Sequence, residues 1–166
     1  MSHIYRTSVA EDGLTPLIRR LGRDCLPTQF VREYVRNSIE AIQRTNKPGN
    51  ILIDVNWDYL DANLTKNYKL SFTDTGDGMT GDEINEYINK ISSSGGENVY
   101  ENYGMGAKIS SITRNPEGIV YESWKDGLGV LAIYRYDESV DAYGLEQFEL
   151  ENGSFACFRE LNESAM

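Results

Sequence analysis

Glu33 and Asn37 stand four residues apart inside a run with helical periodicity, so they sit nearly one above the other on a helix. A carboxylate and a carboxamide stacked in this way can divide two tasks. The amide oxygen can ligate a hard cation, and the carboxylate can polarise a water. The plain alternative is a pair of ordinary residues at the margin of a buried face. A third group, Asp74, closes an alternating strand and is followed at once by Gly76 and Gly78. Glycines there let the backbone approach a flat ligand closely or take φ > 0. An ionised carboxylate only accepts hydrogen bonds, so it suits the exocyclic amine of adenine and rejects the carbonyl that guanine carries at the same place. A bare Asp-Gly turn is the competing reading. Calcium is discounted, because Gly76 stands where an EF-hand loop needs a ligand.

A fourth segment, Tyr103-Gly104-Met105-Gly106-Ala107-Lys108, places small residues at a loop-to-helix junction. Unpaired N–H groups and the positive helix end attract phosphate at such a place, and Lys108 adds a point charge. The Walker spacing is absent, and a simple flexible loop is the bland reading. Charge gives this segment its interest. The 166 residues carry 16 Lys and Arg against 26 Asp and Glu, a net charge of -10. Such a surface repels phosphate backbones, so direct nucleic-acid binding by this domain is not expected. A polyanionic ligand would need a metal ion, backbone N–H groups or a well-placed lysine. His3 is the sole histidine and Cys25 and Cys157 the two cysteines, far apart in sequence, which argues against a histidine triad or a zinc site and for free thiols. Nothing approaches the apolar length of a membrane span, and the start of the chain lacks the pattern of a secretion signal. A cytoplasmic protein with no membrane partner is the expectation.

The elements that must position these groups are legible in outline. Leu14, Leu17, Ile18 and Leu21 predict a short helix. A longer helix is predicted over 28–44, stopped by Asn46-Lys47-Pro48-Gly49. On its wheel Phe30, Val31, Tyr34, Val35, Ile39, Ala41 and Ile42 fill the buried arc, and Glu33 and Asn37 lie on its margin. Alternation predicts strands over 51–57 and 68–74. Thr80 and Glu83 form a capping box for a helix to about 91, 92–106 reads as a loop, and a short helix follows over 106–113. Beyond Pro116 the chain reads as strands, at 119–124, 129–136 and 155–158, with 145–150 a weaker candidate. Helices on one face of a mixed, mostly antiparallel sheet make a two-layer α+β sandwich.

In this order the motifs resemble a known family. Glu33-Tyr34-Val35-Arg36-Asn37-Ser38-Ile39-Glu40-Ala41 is similar to the N box of the GHKL ATPases, the group of gyrase B subunits, the ninety-kilodalton heat-shock chaperone, MutL and the MORC proteins. Asp74-Thr75-Gly76-Asp77-Gly78-Met79 resembles the family's Asp-x-Gly-x-Gly motif, and Gly104-Met105-Gly106-Ala107-Lys108 its third, glycine-bearing motif, the lysine being most like MORC. Asn152-Gly153-Ser154-Phe155 is a weaker likeness to the Gly-Thr that opens a late strand in many relatives.

The resemblance implies a single Bergerat-fold domain over 1–166 that binds ATP with Mg2+. It implies Glu33 as general base, Asn37 as magnesium ligand, and Asp74 as adenine acceptor, with Gly76, Gly78 and Met79 beside the base. Gly104, Met105, Gly106, Ala107 and Lys108 would meet the phosphates, and the Ser154 hydroxyl would meet Asp74. Residues 92–106 would form an ATP lid, and 1–13 an amino-terminal arm able to cross to a second subunit. Binding and hydrolysis would drive lid closure, and with it a conformational change or dimerisation. The transducer domain that supplies a further catalytic cation in hydrolysing relatives is not expected before Met166, so turnover by this chain alone is expected to be slow or undetectable. An anti-sigma-type serine kinase and a non-hydrolytic, nucleotide-sensing or protein-binding module are the alternatives.

Overall fold

The computed structural model of the protein describes residues 4–6, 14–56, 69–89, 105–115 and 117–161. Four helices stand among them: α1 (Leu14–Asp24), α2 (Gln29–Arg44), α3 (Gly81–Asn89) and α4 (Met105–Ile112). The strands are β1 (Ile4–Arg6), β2 (Ile51–Asn56), β3 (Lys69–Asp74), β4 (Ile119–Lys125), β5 (Leu128–Asp137), β6 (Ala142–Glu146), β7 (Phe148–Glu149), β8 (Phe155–Ala156) and β9 (Arg159–Leu161). The α+β class expected from the sequence is observed, and every strand pairing among the described residues is antiparallel.

The strands form three ladders instead of one continuous sheet. The largest runs β1-β6-β5-β4, with β9 also paired to β5, while β2–β3 and β7–β8 are separate hairpins. Side chains alternate across a strand, so Val130, Ala132 and Tyr134 of β5 share a face with Tyr143 and Leu145 of β6. Register brings Ser123 and Tyr121 of β4 opposite Val130 and Ala132. That face meets Ile18 of α1, Ile84 and Ile88 of α3 and Ile112 of α4 to form the core. The segment predicted as one strand over 145–150 divides: residues through Glu146 pair with β1 and β5, whereas Phe148 and Glu149 turn away to pair with β8.

α2 lies between α4 and the β2–β3 hairpin. The Phe72 ring of β3 stacks on Tyr34 at 5.0 Å between centroids and meets Phe30 edge-on at 6.2 Å, and the Tyr34 hydroxyl reaches Ser111 Oγ of α4 at 3.1 Å. Cover from two sides rotates the buried face away from the wheel's arc. Ser38 is the buried residue of the helix, whereas Ile39, assigned to the buried arc, is 44% exposed. α2 ends where Thr45 turns its hydroxyl back to the Ile42 carbonyl and Asn46 takes φ of 55°. The predicted capping box of α3 is present in both directions: Thr80 N donates to Glu83 Oε2 and Glu83 N to Thr80 Oγ1.

Candidate active site

Glu33, Asn37 and Ala41 follow one another at intervals of four on α2, a stripe about 12 Å long at 1.5 Å per residue. Each meets a different part of the chain. At Glu33 the partner is Gly106, in the first turn of α4, where a Cβ would stand 2.9 Å from the glutamate carboxyl carbon. A side chain at 106 would have to push the Glu33 carboxylate aside. One turn on, Asn37 Nδ2 donates to the Tyr87 hydroxyl of α3 at 3.2 Å. A turn further, Ala41 packs on Gly76, where a Cβ would stand 2.5 Å from the alanine methyl and 2.7 Å from Asp74 Oδ1. The three motifs, separated in sequence, are therefore threaded along one side of one helix.

Asp74 ends β3 with its carboxylate half-buried. Oδ1 accepts from Gly76 N at 2.9 Å, which closes a short side-chain turn and leaves Oδ2 as a free acceptor among the described residues. Gly78 then takes φ of 66°, and its α-carbon lies so close to β4 that a Cβ would be 2.2 Å from the Trp124 carbonyl oxygen. Met79 N donates to Ser123 Oγ at 2.7 Å, and the Met79 side chain turns inward onto the core. The loop is thus fastened to both α2 and β4. Asp77, between the glycines, forms a two-pronged ion pair with Arg44 at the end of α2, at 2.8 and 2.9 Å. That hydrogen-bonded guanidinium holds the Asp77 carboxyl below its ordinary value.

Lys108 is fully buried. Its Nζ donates to the Tyr87 carbonyl and stands 3.8 Å from the centroid of the Tyr87 ring. It therefore lies behind the tyrosine that Asn37 touches, and reaching an anion at the Glu33 end would require its side chain to leave this seat. Ala107 is likewise buried, and its carbonyl accepts from Ser111 Oγ. Ser154 is not brought to Asp74: its hydroxyl is exposed and donates to Asn152 Oδ1 at 2.6 Å in the turn between β7 and β8. The contact implied for it is absent because that hairpin forms its own ladder. Gly104 and the expected lid up to that residue lie outside the described residues, as does most of the amino-terminal arm, whose Ile4–Arg6 pairs with β6.

Tyr87, with Tyr34 and Tyr121 close by, escaped the sequence reading. The Tyr87 and Tyr121 rings meet edge to face at 6.2 Å, and burial pushes all three phenols above their ordinary range. Tyr87 reads in sequence as one more apolar position beside Ile84 and Ile88. The signal available was its hydroxyl, which a buried tyrosine generally commits to a partner. Among the described residues no group of three or more His, Cys, Asp or Glu is placed to hold a metal ion, and no helix is long and apolar enough to cross a membrane.

The chain is similar to the chaperone protein HtpG of Bacteroides fragilis, in three strains of that organism. Each is 29% identical over an alignment of 115 residues that covers 59% of this chain and 16% of the relative. No solved structure matches. The family model described as histidine kinase-, DNA gyrase B- and HSP90-like ATPase matches residues 27–156, a span that takes in all three motifs on the α2 stripe and most of the chain. The chain accordingly belongs to the GHKL ATPases.

Proposed function

We propose that this domain binds ATP with Mg2+ along the α2 stripe and couples that binding to closure of the segment before α4. One observation carries the reading: Glu33, Asn37 and Ala41 lie in succession on α2, and Gly106, Tyr87 and the Asp74-Gly76 loop lie against them in that order. The purine belongs at Asp74, whose pinned Oδ1 and remaining Oδ2 suit an amine donor. The phosphates belong at the Glu33 end, where the first N–H groups of α4 lack acceptors within the helix. Lys108, buried behind Tyr87, would have to leave that seat to bring its charge to the phosphates. The donor set fits magnesium of the kind that arrives with its nucleotide. A single carboxamide, Asn37, is what the protein would contribute, and magnesium binds through one or two protein oxygens plus phosphates. When bound, the ion would polarise phosphoryl oxygens and neutralise charge. Glu33, without a hydrogen bond among the described residues, would accept the proton from the attacking water.

The reading extends to a second subunit or a further domain as the receiver of lid closure, in a cytoplasmic setting. The test is calorimetric titration with a non-hydrolysable ATP analogue in magnesium and in EDTA. Wild-type protein should bind, and Asp74→Asn should weaken binding about ten-fold or more, the worth of a hydrogen bond to a charged group. Asn37→Ala should remove the gain from magnesium. Glu33→Ala should abolish any phosphate release while leaving affinity near that of the wild type. Unchanged affinity in both Asp74→Asn and Asn37→Ala would overturn the assignment.

A further inference from the structure

Tyr87 is held from two sides and acts on a third group. Its backbone carbonyl accepts from Lys108 Nζ, and the same ammonium lies over its ring at 3.8 Å. Tyr121 meets the other part of the ring edge-on, so the phenol has little freedom to swing. Its hydroxyl then receives Asn37 Nδ2 at 3.2 Å. A carboxamide has one donor end and one acceptor end. With the donor end on the phenol, the Oδ1 end is left for another partner. A phenol hydroxyl can donate as well as accept, but once a cation takes Oδ1 the amide must meet the phenol with its NH2 end, the arrangement already present here; without the hydroxyl that NH2 group loses its partner.

We infer that Tyr87 is a positioning residue for the metal: through its hydroxyl it fixes the orientation of Asn37, so that the amide oxygen is presented to a divalent cation. This rests on the nucleotide reading above. It adds a role for α3, which otherwise stands as a core helix between the Asp74 loop and the segment before α4. The anchoring of Tyr87 by Lys108 also ties the third motif to the N box through one side chain.

The experiment uses Tyr87→Phe, which removes the hydroxyl and retains the ring beneath Lys108. Affinity for a non-hydrolysable ATP analogue is titrated against free Mg2+. Loss of an outer partner that orients a metal ligand typically costs 10- to 100-fold in metal affinity. The magnesium concentration needed for half-maximal tightening should therefore rise about ten-fold, while affinity in EDTA stays within about two-fold of wild type, since no contact to the nucleotide itself is lost. Asn37→Ala and the double variant complete a cycle. If Tyr87 acts through Asn37, Tyr87→Phe has no effect on magnesium dependence once Asn37 is alanine. A purely structural role would instead lower the EDTA affinity and the metal dependence together, in both backgrounds, and would overturn the inference. So would a wild-type magnesium dependence in Tyr87→Phe. Wild-type protein that binds no nucleotide at all would sink the underlying reading, and this inference with it. Binding that is normal in wild type but indifferent to Tyr87→Phe sinks the inference alone.

Discussion

Gly78 carries a backbone requirement that no other residue type meets. Its φ of 66° is combined with a Trp124 carbonyl oxygen 2.2 Å from where a Cβ would stand. Gly78→Ala therefore faces a disfavoured dihedral and a collision with backbone that cannot move aside cheaply, and each strained residue costs on the order of 1–3 kcal/mol. Urea unfolding should show a loss of about 2 kcal/mol or more, and displacement of the loop should also weaken nucleotide binding. Asp77, one position earlier, works through charge. Because Arg44 depresses its pKa in the fold, the pair's contribution is fully present above the ordinary aspartate value of 3.8 and is lost as pH falls below it. The pair is part-exposed, so its worth is that of a surface ion pair, about 0.2–1 kcal/mol. Asp77→Asn should lower the melting temperature slightly at pH 7, with the difference from wild type closing as pH falls toward 3 and shrinking in high salt. The Asp-x-Gly-x-Gly motif was legible because its meaning is local. The Arg44 partner was not, since the two residues lie 33 positions apart and neither position signals the other.

At the level of secondary structure, the same contrast recurs. Thr80 and Glu83 declare the start of α3 from sequence because a capping box is satisfied within four residues, and both of its bonds are present. Thr80→Ala removes the hydroxyl and should cost about 1 kcal/mol of stability, read as a lower urea midpoint with an unchanged slope. If α3 positions Asn37 as inferred, fraying its first turn should also blunt the magnesium dependence of binding. α2 was equally plain as a helix, yet its buried face was not. The wheel assumes one covering neighbour, whereas α4 and β3 press on α2 from different directions. Ser38 is buried and Ile39 left 44% exposed for that reason. The hairpins β2–β3 and β7–β8 were likewise predicted as strands without any indication that they would stand apart from the main ladder. Alternation identifies a half-buried strand and says nothing about which edge it joins.

Across the molecule, one core joins the five-stranded ladder to α1, α3 and α4, with Ile84 and Ile88 fully buried on α3. Ile88→Ala should cost 2–5 kcal/mol, the range for large-to-small changes at buried aliphatic positions, measured by urea unfolding. Because Ile88 neighbours Tyr87 on the same helix, the surviving folded fraction should also show weaker magnesium coupling. Composition, helix and strand character, the capping box and the three motifs were readable in the chain as written, since each depends on residues within a few positions of one another. The threading of Glu33, Asn37 and Ala41 against Gly106, Tyr87 and Gly76, the burial of Lys108 behind Tyr87, and the turning of Ser154 toward Asn152 instead of Asp74 were not. Those are outcomes of packing between distant segments. They depend on which surfaces meet when the core closes, and a one-dimensional pattern of residue types does not encode that choice at any single position.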